Sequence, residues 1–282
     1  MSDHSDIALI AGGGAFPFEI ATALKQKHLK PFIIGLRGFI RRDEDLNEYD
    51  HALADMLDPQ KIICLLRQHQ IKRVILAGSV SRPGPMALLS IYSFFRNRDE
   101  LRRIVSGGDD RILRGVIRLI EENGFTVMGV DEAAPQLLAS EGLIGSVPES
   151  KTAASDIAMA LEFLHKISPY DVGQGVVVAD GRVLAIEGPE GTDAMLERVR
   201  LMQRNRRVIL ESKAAILVKA PKQGQDHRVD LPAIGPRTIK AAQDAGLGGI
   251  AIAAHEVIII LRSQTMRAAD RAGIFLKGVP RL

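Results

Sequence analysis

Polar residues concentrate in the stretch 219–238, which lies between two segments of apolar or helical character. It holds Asp226 and Asp230, four residues apart, with Arg228 between them. Two carboxylates at this spacing, among fixed cations, could hold a divalent metal and neutralise a polyphosphate. A solvated loop joined by salt bridges is the alternative interpretation. Three prolines and two glycines fix the course of the chain here, which a plain surface loop does not require, and this favours a functional loop.

A second polar cluster follows a predicted strand and contains Glu187, Glu190, Thr192 and Asp193 beside two glycines. Carboxylates and a hydroxyl in such a cluster are suited to bind phosphate or a metal ion. Thr192 and Asp193 are also residue types that cap the N-terminus of a helix, and a helix is predicted directly after them. Capping alone is therefore the competing interpretation of these two residues.

Glycine turns end two of the predicted strands in the N-terminal half. Gly12, Gly13 and Gly14 follow an apolar run, and Gly78 and Ser79 follow another. Ligands in open parallel sheets collect at the carboxyl ends of strands, so we expect both turns to face one crevice and to approach an anionic or nucleotide group. A tight turn without a ligand is the alternative. The spacing is not G-x-G-x-x-G, and no acidic residue clearly ends the second strand, which disfavours a dinucleotide oxidoreductase.

The elements that must position these residues differ between the two halves of the chain. Strands and helices alternate in the first half, which predicts an α/β fold with a Rossmann-like parallel domain over residues 1–133. Proline and glycine interrupt residues 134–150, the predicted linker. A hairpin around the turn 180–181 then predicts a C-terminal α/β domain with a mixed sheet over residues 151–282. The ligand is expected in the cleft between the two domains.

Several further predictions are local. Asp58 is predicted to cap the helix that follows it. The apolar runs 246–254 and 257–261 are predicted to form a strand pair. Asp109 and Asp110 open another helix, so they either cap it or serve a site.

The composition is that of an ordinary globular protein, with 282 residues, 46% hydrophobic and 25% charged. Aromatic residues make up only 4%, and the net charge of +3 comes from basic residues spread along the chain, so nucleic-acid binding is disfavoured. The single cysteine, Cys64, lies in an apolar run and is predicted to be buried. Without a signal peptide or an apolar stretch of ~18 residues, the protein is expected to be cytoplasmic or peripherally attached to a membrane.

Five segments carry a family resemblance over nearly the whole chain. They are I-A-L-I-A-G-G-G-A-F-P at 7–17, G-D-D at 108–110, E-G-T-D-A-M-L at 190–196, K-Q-G-Q-D-H-R-V-D-L-P-A-I-G-P-R-T at 222–238 and A-D-R-A-G at 269–273. In this order they resemble the UDP-2,3-diacylglucosamine pyrophosphatases of lipid A biosynthesis, of the type unrelated to calcineurin-like phosphoesterases. The resemblance implies hydrolysis of UDP-2,3-diacylglucosamine to UMP and 2,3-diacylglucosamine 1-phosphate, with attack on the β-phosphorus.

The same resemblance implies roles for the residues singled out above. Mg²⁺ or another divalent cation is expected, with Asp226, Asp193 and Asp230 as its ligands, or with Asp230 supporting the ligands instead of binding the metal. The predicted catalytic residues are Asp226, Asp230 and Arg228, of which Asp226 is the principal carboxylate. The residues expected to bind substrate are Gly12, Gly13, Gly14, Gly78, Ser79, Thr192, Asp193, Lys213, Lys219 and Thr238.

A glycolipid substrate implies peripheral contact with the cytoplasmic face of the inner membrane, and a homodimer is expected. A non-catalytic protein that binds a glycolipid or a nucleotide sugar is the alternative function, and a nucleotide-sugar transferase is a weaker one. Release of UMP separates an enzyme from a carrier, and a requirement for an acceptor would reveal a transferase.

Overall fold

The structure is a computed structural model that describes residues 6–40, 46–80, 109–150, 152–208 and 214–280. It divides into two compact units. The first consists of Met1–Pro135 together with Asp226–Asp230, and the second of Gln136–Gln225 and Leu231–Leu282. A five-residue segment from the C-terminal half of the chain thus belongs to the first unit.

The first unit is built on a five-stranded sheet in which all pairs are parallel. Its strands are β1 (Ile7–Ala11), β2 (Phe32–Leu36), β3 (His51–Ala54), β4 (Arg73–Ala77) and β5 (Thr126–Val127). They lie in the order β3-β2-β1-β4-β5. The order reverses between β1 and β4, and such a switch point is where open parallel sheets form a crevice at the carboxyl ends of the strands. Ala11 pairs with Ala77, so these two strands end at the same level.

Helices of the first unit are α1 (Phe16–Gln26), α2 (Pro59–Gln68), α3 (Asp109–Glu122) and α4 (Val130–Ala133). Every residue of β1 and β2 is buried, as is usual for apolar strands whose two faces are both covered. The predicted start of α2 is confirmed, because the Asp58 carboxylate accepts a hydrogen bond of 3.0 Å from the Lys61 backbone N–H. The side chains of residues 109–112 lie outside the described part, so the two interpretations of Asp109 and Asp110 both stay predictions.

The prediction that Cys64 is buried is wrong, because its side chain is exposed. Ile63 and Leu66 of the same helix are buried and face the core. Successive residues of a helix are ~100° apart, so an apolar run on a surface helix places some of its members outside.

The second unit contains a six-stranded mixed sheet, which confirms the predicted fold class. Its strands are β6 (Gly142–Leu143), β7 (Gly175–Ala179), β8 (Arg182–Ile186), β9 (Ile216–Lys219), β11 (Gly249–Ala253) and β13 (Phe275–Val279), in the order β6-β13-β11-β9-β7-β8. Pairs among β9, β11 and β13 are parallel, and the remaining pairs are antiparallel. Strand β6 comes from the stretch predicted to be a linker and forms one edge of this sheet.

The predicted hairpin is present as β7 and β8. Asp180 and Gly181 in its turn have φ values of 52° and 71°, the left-handed conformation that a tight two-residue hairpin requires. The buried carboxylate of Asp156 accepts backbone hydrogen bonds of 3.0 Å from Asp180 and 2.8 Å from Gly181. This carboxylate therefore ties the hairpin turn to the neighbouring helix.

The predicted pairing of the apolar runs 246–254 and 257–261 is wrong. Strand β11 lies between β9 and β13 and has no open edge, so β12 (Ile258–Ile259) pairs instead with β10 (Ala233–Ile234). The helices of this unit are α5 (Ala153–Ile167), α6 (Gly191–Arg204), α7 (Pro236–Asp244) and α8 (Arg262–Ala272). Within the described ranges, no helix has both the length and the apolar character that crossing a membrane requires.

Candidate functional site

The two glycine turns of the first unit lie together at the carboxyl ends of β1 and β4. The backbone N–H of Gly12 donates to the carbonyl oxygen of Ala77 over 2.8 Å, and Gly13 and Ser79 exchange backbone hydrogen bonds of 2.8 and 2.9 Å. The expected meeting of these turns is therefore observed. Their role in binding a ligand stays a prediction.

Packing explains two of these glycines and leaves a third unexplained. A Cβ atom on Gly12 would lie 2.7 Å from the carbonyl oxygen of Ser79, and one on Gly78 would lie 2.8 Å from the backbone of Gly12. Side chains at either position would thus push the turns apart. Gly14 has a φ of +94° and no described atom within 4 Å of the place a Cβ would take. It borders open space, where a ligand could approach the backbone.

The segment 226–230 forms a single helical turn. The carbonyl oxygen of Asp226 accepts hydrogen bonds of 3.2 Å from the backbone N–H groups of Val229 and Asp230. Residues four apart on such a turn are neighbours, so Asp226 and Asp230 lie next to each other along it. The Val229 side chain packs against the hydrophobic core of the first unit and anchors the turn there.

Arg228 holds two carboxylates at once. Its Nε and Nη2 donate to Oδ1 and Oδ2 of Asp226 over 2.9 and 2.7 Å, and its Nη1 donates to Oε1 of Glu121 over 2.6 Å. The hydrogen bonds from Arg228 hold the pKa of Asp226 below its usual value, and those to Asp226 and Glu121 raise the pKa of Arg228. Asp226 is therefore ionised and Arg228 protonated at neutral pH.

Glu121 is a site residue that sequence reasoning missed. It lies 107 residues before Arg228, near the end of α3. A glutamate near the end of an amphipathic helix has the pattern of any solvent-facing residue, so no local signal could have identified it. Only the docking of the turn 226–230 in the first unit reveals its role.

Binding of a magnesium ion by protein and substrate together stays a prediction. No group of three or more His, Cys, Asp or Glu side chains suited to a metal occurs in the described ranges. Mg²⁺ usually takes only one or two carboxylates and completes its shell with water and substrate phosphates. Asp226 and Asp230 would be these carboxylates, and Arg228 would then have to give up its hydrogen bond to one oxygen of Asp226. Asp193 belongs to the second unit, where it accepts a hydrogen bond of 3.0 Å from Arg237.

The second unit brings the predicted Lys219 and Thr192 together. Lys219 is buried at the carboxyl end of β9, and its Nζ donates to the Thr192 hydroxyl over 2.7 Å. The Thr192 hydroxyl donates to Oε1 of Glu187 over 2.7 Å, and Lys219 Nζ lies 3.7 Å from the other carboxylate oxygen, Oε2. A chain of hydrogen bonds therefore runs from the buried Lys219 ammonium through the Thr192 hydroxyl to the Glu187 carboxylate.

The prediction that Thr192 or Asp193 caps α6 is wrong. The helix begins at Gly191, the N-cap position is taken by Glu190, and no side chain makes the capping hydrogen bond. Thr192 lies inside the first turn, and its hydroxyl is used by Lys219 and Glu187 instead. The residue types that cap helices also bind other groups, so the sequence pattern did not distinguish the two uses.

Two further predicted residues have different outcomes. Thr238 is buried in α7, and its hydroxyl accepts a hydrogen bond of 3.3 Å from the backbone N–H of Gly235, which helps to cap that helix. Its role in substrate binding stays a prediction. Lys213 lies outside the described residues.

Comparison with known proteins assigns both halves of the chain. The model of the LpxI N-terminal domain matches residues 6–137, and the model of the LpxI C-terminal domain matches residues 140–277. The UDP-2,3-diacylglucosamine pyrophosphatase LpxI of Caulobacter vibrioides is 37% identical over 273 residues, which cover 97% of each chain. This likeness extends through both units and agrees with the resemblance seen in the sequence motifs. The chain therefore belongs to the LpxI family.

Proposed function

We propose that this protein hydrolyses the pyrophosphate bond of UDP-2,3-diacylglucosamine and releases UMP and 2,3-diacylglucosamine 1-phosphate. The name of the Caulobacter relative supports this substrate. The structural observation that carries the proposal is the turn 226–230, which presents an ionised carboxylate beside a guanidinium. Cleaving a pyrophosphate requires that charge on its oxygens be neutralised while a water molecule is oriented for attack.

Asp226 suits a role in binding a cation and orienting water. Its lowered pKa makes it a weak base, so it is better fitted to hold a positive charge than to remove a proton from water. We propose that Asp226 and Asp230 hold a divalent cation, with Asp193 as the third predicted ligand. Mg²⁺, when bound, would supply the positive charge that stabilises the phosphoryl oxygens in the transition state.

The cationic side chains of the two units suit different tasks. Arg228 uses three of its five N–H groups on Asp226 and Glu121, which leaves two for phosphate oxygens of the substrate. Lys219 is fixed by buried partners and offers a charge whose position does not change on binding. We propose that both neutralise charge on the pyrophosphate.

The decisive experiment measures UMP release by the purified full chain from UDP-2,3-diacylglucosamine, with Mg²⁺ and with EDTA. Wild-type protein is expected to release UMP only with the metal, and Asp226→Asn to fold but lose this activity. Asp244→Asn is a matched control, because Asp244 is exposed and pairs only with Lys240 of its own helix among the contacts described. Near-normal turnover of Asp226→Asn would remove Asp226 from the catalytic role.

The products and their labels test the remaining parts of the proposal. In water enriched in oxygen-18, attack on the β-phosphorus places the label in 2,3-diacylglucosamine 1-phosphate, and attack on the α-phosphorus places it in UMP. Tight binding of the substrate without any UMP would instead favour a non-catalytic carrier. A need for an acceptor molecule would favour a transferase.

We also propose where the protein is located in the cell and how many copies associate. The acyl chains of the substrate support peripheral contact with the cytoplasmic face of the inner membrane, which sedimentation with anionic vesicles would test. A cytoplasmic protein is expected, and fractionation of cells would test this. A homodimer is expected, and light scattering coupled to size-exclusion chromatography would measure the mass.

A further inference from the structure

Glu187 is an enclosed carboxylate to which the proposed function gives no role. Its Oε1 accepts the Thr192 hydroxyl, and its Oε2 is buried without a hydrogen-bond partner among the described residues. An enclosed carboxylate oxygen without a donor is unfavourable unless a nearby positive charge offsets it. The Lys219 ammonium, 3.7 Å from Oε2, is such a charge.

The geometry of three adjacent strands explains how these two side chains meet. Gly175 of β7 pairs with Lys219 of β9, and on its other side its carbonyl oxygen accepts a hydrogen bond of 2.9 Å from the backbone N–H of Glu187. Neighbouring strands lie ~4.8 Å apart, so Glu187 and Lys219 are separated by the full width of β7. They approach each other across the one position of that strand that has no side chain.

The glycine at this position is needed for that approach. A Cβ atom on Gly175 would lie 2.5 Å from Oε2 of Glu187. A Cβ atom on Gly173 would lie 2.1 Å from the carbonyl oxygen of Glu187. The two glycines before and at the start of β7 therefore make room for Glu187, and they hold its carboxylate next to Lys219.

The hydrogen bonds of the network have one possible direction. An ammonium group only donates, and an ionised carboxylate only accepts. The single hydroxyl hydrogen of Thr192 is therefore committed to Glu187, and its oxygen lone pairs face Lys219. Without the negative charge of Glu187, the Thr192 hydroxyl and the Lys219 ammonium could turn to other orientations.

We propose that Glu187 is a positioning residue that fixes the buried Lys219 ammonium through the Thr192 hydroxyl. This inference rests on the proposed function, in which Lys219 and Thr192 bind the pyrophosphate. Glu187 does not touch the substrate. It balances the charge of Lys219 and keeps its donors in one arrangement before substrate arrives.

The first test compares Glu187→Gln with wild type in UMP release and in thermal unfolding of the full chain. Glutamine keeps the shape and removes the charge, so kcat is expected to fall about 10- to 100-fold with a smaller change in KM. Glu197→Gln is the matched control, since Glu197 lies on α6 after the same loop and pairs with Arg200 at the exposed surface. The control is expected to keep wild-type turnover.

A second variant separates positioning from folding. Gly175→Ala keeps every charge but places a methyl group 2.5 Å from Oε2, so it is expected to displace the carboxylate and lower kcat in the same way. If Glu187→Gln does not fold, Gly175→Ala carries the test. Equal activity of wild type and of whichever variant is folded would overturn the role of Glu187.

A double-mutant cycle tests the route of the effect. If Glu187 acts through Thr192, then Glu187→Gln in a Thr192→Val background is expected to lower kcat by less than about 3-fold. Independent, multiplying effects would overturn the proposed route. An inactive wild type would instead overturn the proposed function itself, so the two failures are distinguishable.

Discussion

The two charged networks of this protein differ chiefly in their contact with solvent. In the first unit, the side chains of Arg228, Asp226 and Glu121 are 38%, 21% and 41% exposed. In the second, those of Lys219 and Glu187 are only 5% and 12% exposed. Water screens the charges of the first set in part, whereas the second set lies in a medium where an unpaired charge is strongly unfavourable.

This difference suggests that the network around Arg228 exchanges its partners when substrate binds, whereas the network around Lys219 holds its groups in place. The pair of Arg228 and Asp226 is accessible to solvent, so a cation or a phosphate can compete for its groups when it binds. If Lys219 moved away from Glu187 and Thr192, a buried charge would be left unpaired, so the position of Lys219 is set before substrate binds. Four substitutions, from the largest expected effect to the smallest, test this contrast.

Lys219→Met should have the largest effect. It leaves the Glu187 carboxylate buried without its cation, so the free energy of unfolding is expected to fall by about 3–5 kcal/mol, and turnover by more than about 100-fold. Denaturant unfolding and UMP release would measure the two losses. Lys240→Met is the control, because Lys240 and its partner Asp244 are both exposed. A Lys219→Met protein as stable as wild type would contradict the account of a coupled buried pair.

Asp156→Ala should lower stability without changing turnover. Its carboxylate is more deeply buried than that of Glu187, but the hydrogen bonds described for it come from the backbone N–H groups of Asp180 and Gly181 in the turn. Losing these bonds is expected to lower the free energy of unfolding by about 1–3 kcal/mol. Glu162→Ala on the same helix, where the pair with Lys166 is exposed, should be near neutral. A large loss of kcat in Asp156→Ala at full folding would mean that burial alone does not separate the two carboxylates.

Glu121→Gln should have a modest effect on turnover alone. Arg228 would lose one of its two anchors, but the exposed pair is weak, so kcat is expected to fall about 2- to 5-fold with an unchanged unfolding midpoint. Glu122→Gln, one residue further along α3, is the matched control. Raising the salt concentration should shrink the difference between Glu121→Gln and wild type. A loss of kcat as large as that of Lys219→Met would contradict the idea that Arg228 exchanges its partners.

Asp6→Asn should have the smallest effect, confined to stability. The Asp6 carboxylate accepts a hydrogen bond of 2.6 Å from Arg73, which lowers the pKa of Asp6 from its usual 3.8. A lowered pKa in the folded state stabilises the protein above pH 3.8, and this contribution is lost as the pH falls through the folded value. Wild type and Asp6→Asn should therefore differ slightly in unfolding midpoint at pH 7 and converge in acid. A gap that widens in acid would contradict this.

Local signals in the sequence were sufficient for many elements. The Asp58 cap, the glycine turns after β1 and β4 and the hairpin around Asp180 each depend on residues within a few positions of one another. Errors arose where the decisive contact was distant or where one residue type has two uses. Thr192 looked like a helix cap, and Cys64 looked buried because its neighbours in sequence are apolar.

The sequence by itself determined the α/β class and the family, and it directed attention to Asp226, Lys219 and Thr192, because turn chemistry, periodicity and motif order are written along the chain. Only the tertiary structure decided that Arg228 binds Glu121 and that Glu187 meets Lys219 across Gly175. Those partners lie on separate elements. The pattern around Glu121 is that of an ordinary surface glutamate, and the polar cluster around Glu187 did not identify Lys219 as its partner. Contacts of this kind depend on sheet order and register, which no single stretch of sequence specifies.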